Sequence, residues 1–181
     1  MLVAFAGFAG AGKTTAIEYL QQQGLGRRVY LGEAVFDEID RRGLMRTPEV
    51  ERAIRIELRS SLGPSAFADL RVSRVTELIG KGECALIDAI FMIEEYRRLE
   101  SCSQVSVLVA IEASFETRSR RLKVRSDRGY TADELLKRDK TEREELGTAS
   151  VLKVAQFTIL NEGVLTEFYG DVTALWKRIS S

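Results

Sequence analysis

A chain of 181 residues, 45% hydrophobic and 30% charged, is long enough to bury one sizeable core and too apolar to stay disordered. Its 27 basic and 27 acidic residues cancel, so overall charge draws it neither to nucleic acid nor to a membrane surface, and any anion site must come from local arrangement. Histidine is absent, which excludes histidine catalysis and histidine-ligated metals.

The elements follow in chain order. The apolar run Leu2–Ala6 reads as a short buried strand. The loop "GFAGAGKTT" comes next, and Lys13–Gln23 continues as a helix. Val29–Leu31 is a second strand. Residues 32–80 then hold helices and no strand, an insertion above the sheet. Within it Thr47 caps a helix that has Pro48 in its first turn and runs to about Leu62. Gly63-Pro64 breaks the chain, and Ser65–Ile79 resumes as one helix. Ala85–Asp88 is a third strand, followed by the helix Ile93–Glu100. Val105–Ile111 is a fourth strand, followed by the helices Phe115–Val124 and Thr131–Glu145, the latter with a Thr131/Glu134 capping box. Phe157–Leu160 is the last strand and Leu165–Ile179 the last helix. Short, nearly unbroken apolar strands alternating with helices imply a doubly wound α/β domain with a five-stranded parallel sheet.

No repeat or low-complexity tract interrupts this order. Cys84 and Cys102 lack metal-ligand spacing and read as ordinary thiols of a reducing compartment. No apolar run approaches the roughly 20 residues of a membrane span. The N-terminus has no basic region before its apolar stretch, so a cytoplasmic protein is expected.

Residues Gly7, Gly12, Lys13 and Thr14 fit G-x-x-x-x-G-K-[ST] between a strand and a helix. Glycines let successive backbone N–H groups turn inward to phosphate oxygens, and the helix start adds its partial positive charge. The loop residues Gly7, Gly10, Ala11, Gly12, Lys13, Thr14 and Thr15 are therefore expected to hold the phosphates of ATP. Lys13, facing solvent until phosphate arrives, would supply a point charge, and the Thr14 hydroxyl would ligate Mg²⁺. Asp88 closes the apolar strand "CALID" at the rim where such sheets bind ligands, placed for Mg²⁺ or its water shell, or else to cap the helix that follows.

The segment 118–143 carries Arg118, Arg120, Arg121, Lys123, Arg125, Arg128, Lys137, Arg138, Lys140 and Arg143. For most of them the expectation is a solvated face of mixed charge, with Asp133, Glu134, Asp139 and Glu142 as neighbours.

The blocks "GFAGAGKTT", "VYLGEAVFDEI", "LIDAI", "SFETRSRRLKVRSDRG", "LLKRD" and "FTILNEGVLTEF" come in an order that resembles the nucleoside monophosphate kinase superfamily. Within it, "IELRSSLGPSAFA" and "RDKTEREELG" look most like the small archaeal-type, adenylate-kinase-related and dephospho-CoA-kinase-like branch. The resemblance spans nearly the whole chain. It implies one domain: a core of 1–31, 81–117 and 146–181, an acceptor-binding helical insertion at 32–80, and a lid at 118–145. It also implies that Arg121, Arg125 and Arg138 are lid arginines and that Asn161 lies beside the adenine, unless Asn161 merely caps the last helix. Fixed positive charge is what phosphoryl transfer asks of a protein, so a histidine-free chain suits it.

The chain departs from that pattern at two places. Phe36 stands where the branch has an acceptor arginine, and Asp88-Ala89-Ile90-Phe91 replaces "DGxR". Arg55, Arg59 and Arg71 remain in the insertion, with Arg59, in "ELR", expected to take the anionic part of the acceptor unless it pairs with Glu57. Glu33 would sit near the acceptor's polar end and Phe36 against its apolar part. Two functions follow. One is an ATP- and Mg²⁺-dependent kinase acting on a nucleotide-like small molecule, a nucleoside monophosphate or dephospho-CoA. The other is a switch that binds or slowly hydrolyses ATP to control a partner.

Overall fold

The computed structural model describes residues 1–124 and 129–180. Five parallel strands form one sheet in the order β2-β3-β1-β4-β5, where β1 is Leu2–Ala6, β2 Arg27–Tyr30, β3 Ala85–Ile90, β4 Ser106–Glu112 and β5 Phe157–Leu160. The expected doubly wound α/β fold is the fold observed. The chain passes from β1 to the edge strand β2, returns to β3 beside β1, and then crosses to β4 and β5 on the other side, so the loop after β1 emerges at the switch point of the sheet.

Alternation along β1 explains the two layers of core. Leu2, Ala4 and Ala6 face a cluster with Ile54 and Leu58 of α3 (Pro48–Leu62), Val75 and Leu78 of α5 (Val72–Gly80) and Leu99 of α6 (Ile93–Glu100). Val3 and Phe5 face the other way, onto Ile17 and Leu20 of α1 (Lys13–Gln22) and Phe168 and Val172 of α10 (Leu165–Ile179). Every residue of β1 is buried, as a central parallel strand covered on both faces requires. A third, smaller cluster joins Ala9 of the loop to Leu122 of α7 (Phe115–Lys123) and Leu135 of α8 (Ala132–Glu144).

Between β2 and β3 lie α2 (Glu33–Arg41), α3, α4 (Ala66–Asp69) and α5. The single helix expected over Ser65–Ile79 is two, because the chain turns at Leu70 and Arg71. There Arg71 reaches across to Asp37 of α2 while Ala66, Phe67 and Ala68 are buried. Strand β2 starts at Arg27 rather than Val29: as an edge strand it pairs only with β3, and its exposed positions accept charge. The six-residue α9 (Thr148–Lys153), started by a left-handed Gly147, is too short to show a helical period in sequence.

Strand β3 also runs two residues past Asp88. Phe5 pairs with Asp88 and Ala6 with Ile90, so Ala89 is an extra, bulged residue. Its φ of 72° is the only positive value at a non-glycine position among the described residues. No helix among the described residues is long and apolar enough to cross a membrane.

Candidate active site

Sterics alone fix the glycine loop. A Cβ on Gly7 would come within 2.3 Å of the Ile111 carbonyl oxygen, and one on Gly12, at φ 114°, within 2.4 Å of Asn161 Nδ2. Gly12 heads α1, so the helix N-terminus opens onto the loop. Lys13 does not stand out into solvent as expected. Its Nζ folds back across the loop and donates to the carbonyls of Gly7 at 2.6 Å and Phe8 at 3.2 Å. Burial lowers its pKa, the charges of Arg138 and Arg118 push the same way, and Glu142 and Asp88 oppose them. A lysine so placed is short of anionic partners.

Thr14 Oγ1 donates to Asp88 Oδ2 at 3.2 Å, although the two are far apart in sequence. Asp88 is 2% exposed. The same Oδ2 accepts from Arg28 Nε at 2.9 Å and Nη2 at 2.7 Å, a contact the sequence did not reveal. A hydroxyl beside a carboxylate is an oxygen donor pair of the kind Mg²⁺ takes, so the residues fit that ion. Asp88 does not cap α6. Glu95 does, its Oε2 accepting from the N–H groups of Phe91 at 2.9 Å and Met92 at 3.1 Å.

Asn161 is buried and caps nothing, since α10 begins beyond it at Leu165. Its Nδ2 donates to the Ala11 carbonyl at 2.8 Å. Arg121 closes the other side, donating to Asn161 O at 2.9 Å and Oδ1 at 3.0 Å. The 161–163 segment is thus tied to both the glycine loop and α7. Arg138 lies elsewhere, donating to Glu142 Oε1 at 2.7 Å and Tyr130 Oη at 2.6 Å. Helix α7 ends at Lys123, and Arg125 falls outside the described residues. Arg138 and Arg118 both bear on the charge of Lys13.

Not all of the basic segment is a solvated face. Arg118 is buried and holds Asp139 by two parallel bonds, Nη1 to Oδ1 at 2.9 Å and Nη2 to Oδ2 at 2.5 Å. Its Nη1 also donates to the Ala9 carbonyl at 3.1 Å. Helices α7 and α8 are thereby locked to each other and to the glycine loop. Glu142 is likewise buried, and its Oε2 lacks a hydrogen-bond partner among the described residues. Beside these helices an open cavity of about 860 Å³ is lined by Phe8, Phe115, Leu136, Leu152 and the Arg118–Asp139 pair.

On the α2–α5 side, Phe36 packs 6.4 Å from Tyr30, and Arg46 lies over its ring. Phe91 lies beneath Lys13 Nζ, 6.0 Å away. Arg59 does not pair with Glu57, whose partner is Arg42. Instead it donates to the buried Glu95 at 3.3 Å and stacks over Phe67. Glu33 is exposed, 4.0 Å from Arg71. The structure therefore sets Thr14 against Asp88 beside the loop that Lys13 folds over, ties Asn161 and Arg121 to another side of that loop, turns Arg138 toward Glu142 and Tyr130, and leaves Glu33 exposed. Sequence reasoning missed Arg28, for which no local pattern gives a signal, while Glu142, expected as an acidic neighbour of the basic segment, does pair with Arg138 four residues before it.

No family model matches the chain. A UPF0200 protein of Thermococcus sibiricus is 30% identical over 183 residues, covering 99% of this chain and 95% of its own length. A UPF0200/UPF0201 protein of Archaeoglobus fulgidus is 34% identical over 182 residues, of which this chain spans 56% of the length. Among solved structures, shikimate kinase from Bacteroides thetaiotaomicron matches with TM-score 0.61 at 16% identity, covering 100% of this chain and 99% of that one. Dephospho-CoA kinase from Campylobacter jejuni matches with TM-score 0.64 at 12% identity, covering 99% and 96%. These likenesses give the fold, that of small P-loop kinases. Relatedness over almost the whole length gives the family: the chain belongs to UPF0200.

Proposed function

We propose that this protein is an ATP-dependent kinase that moves the γ-phosphate onto a nucleotide-like small molecule, a nucleoside monophosphate or dephospho-CoA. One observation carries the reading: the glycine loop at the sheet's switch point, with Lys13 folded over it and Thr14 beside Asp88. Backbone N–H groups of Gly7, Gly10, Ala11, Gly12 and Thr15 would cradle the phosphates, and Lys13 would leave its two carbonyls for the β- and γ-oxygens. Thr14 and Asp88 would hold Mg²⁺, whose positive charge offsets that of the phosphates. Asn161 and Arg121 would meet the base. Arg125 and Arg138 would answer the charge that develops on the moving group. Residues 118–145 would act as the lid and residues 32–80 as the acceptor region, with Glu33, Phe36 and Arg59 along it. The kinase names of the structural neighbours agree with this reading.

A second reading, an ATP-binding switch, is favoured by one feature. Asp88 is already neutralised by Arg28, which would slow metal capture. The test between the two is product analysis by mass, with Mg-ATP and a panel of nucleosides, nucleoside monophosphates and dephospho-CoA. A phosphorylated acceptor, lost in Lys13→Ala by several hundredfold or about 4 kcal/mol, supports the kinase. ATP consumption without a phosphorylated acceptor supports the switch.

A further inference from the structure

The open cavity of about 860 Å³ is walled by α8, α9, the start of α7 and the end of β4. The glycine loop contributes Phe8 and Ala11 to it, but Lys13, Thr14, Asp88, Asn161 and Arg121 are not among its walls. It is therefore a space apart from the donor site. Its volume is that of a small-molecule site, roughly 300–1,000 Å³. Phe8, Phe115, Ile111 and Leu152 supply apolar wall, and Leu136 lines it while 60% exposed. Spacing on α8 accounts for this. Leu136, Lys140 and Arg143 recur at i, i+4 and i+7, beside the buried face of Leu135, Asp139 and Glu142. The charges of the wall are unbalanced. Arg118 and Asp139 cancel, and Lys140 has Glu144 at 3.9 Å. Lys137, Arg143 and Lys153 have no carboxylate within ion-pair distance among the described residues. Exposed apolar wall and cations without acids both gain from a ligand that is apolar at one end and anionic at the other.

We propose that this cavity is a second ligand site, for a small aromatic anion: a flat ring system carrying one carboxylate or phosphate. The ring lies among Phe8, Phe115, Leu136 and Leu152, where contact between aromatic faces adds to the burial of apolar surface. The anionic group meets Arg143. That guanidinium rests 4.8 Å over the Phe8 ring, and its planar fork suits an oxyanion as a lysine would not. Lys137 and Lys153 add positive charge at the same wall. The site stands independently of the kinase reading, since it needs no nucleotide in the glycine loop.

The test is an NMR titration of the isotope-labelled full chain with three probes: 2-naphthoate, 2-naphthyl phosphate and the uncharged 2-naphthalenemethanol. The amides of Ala149, Leu152 and Lys153 report on the cavity from α9, so a phosphate captured by the glycine loop alone does not count. We expect saturable shifts of these amides with at least one anion, bound about tenfold or more tighter than the alcohol. The tighter anion identifies the headgroup as carboxylate or phosphate. Arg143→Gln should weaken the anions by about tenfold and barely move the alcohol. Leu136→Asp should weaken all three probes severalfold. Arg97→Gln, at an exposed charge on α6, should change none of them. Shifts that never saturate, an alcohol bound as tightly as the anions, or affinities that Arg143→Gln and Leu136→Asp leave unchanged overturn the proposal. So do shifts of the same amides with protein concentration alone, the mark of a second copy seated on α8 and α9.

Discussion

Lys13 is pulled two ways. It is a half-buried cation whose ammonium donates to two carbonyls, and desolvation lowers its pKa although Glu142 and Asp88 oppose the shift. The folded protein thus binds that proton less tightly than the unfolded chain does, whose lysines titrate near 10.4. Stability of the free protein should then rise with pH between the lowered folded value and about 10.4, and be fully present above it. Lys13→Met removes that slope. It should raise the melting temperature at neutral pH while abolishing transfer, a separation seen by comparing thermal melts with product formation. A melting temperature that falls would mean that the two carbonyl bonds outweigh the burial. Cys84 gives a second residue-scale expectation. Burial pushes its thiol up to about 11 from 9.0, so at pH 8 its thiolate is roughly a hundredfold scarcer than that of a free cysteine. Labelling by a disulfide reagent should be correspondingly slow and should accelerate with pH up to about 11. At this scale the sequence was informative where neighbours in the chain act together. The loop's glycines, Lys13 and Thr14 were legible because strand, loop and helix are contiguous. The Arg28–Asp88 pair was not, because sheet order, not sequence, sets those two side by side.

Among elements, β3 carries a strain that a single change relieves. Ala89 occupies the left-handed region in a bulge right after Asp88. That conformation costs an L-residue roughly 1–2 kcal/mol, and the entropy of a glycine costs about 0.5–1 kcal/mol. Ala89→Gly should therefore stabilise the protein by about 0.5–1 kcal/mol, measured by denaturant midpoint at unchanged slope. The α7–α8 pair depends on the buried Arg118–Asp139 bridge. Asp139→Ala strands a guanidinium that is nearly sealed from water, and should cost about 3–5 kcal/mol. A loss under 1 kcal/mol would mean that water reaches Arg118. Helix boundaries were legible where a cap or a proline sets them, as at Thr47–Pro48 and Thr131. They failed where tertiary contacts decide: Arg71 reaching Asp37 splits one expected helix into two. The helices of the basic segment read as mixed-charge surface because alternating acids and bases look alike whether they face water or each other.

On the scale of the molecule, the sheet order sets β1 between β3 and β4 and so brings the end of β3 beside the loop that follows β1. That is why segments far apart in sequence supply Lys13, Thr14 and Asp88. The fold class was legible because each strand is a short apolar run between helices. The partners of the charged residues were not, since pairing is set by packing across the cleft. The central claim, phosphoryl transfer from the loop to an acceptor, is tested most directly by following the γ-phosphorus resonance of Mg-ATP with the acceptor panel present. The account predicts that the lost γ signal reappears in equal amount on one acceptor, as the β-phosphate of a nucleoside diphosphate or as the phosphoester of a hydroxyl, and that Lys13→Ala stops the conversion. A γ signal that turns only into inorganic phosphate whatever the acceptor, or that transfers equally well in Lys13→Ala, would contradict it.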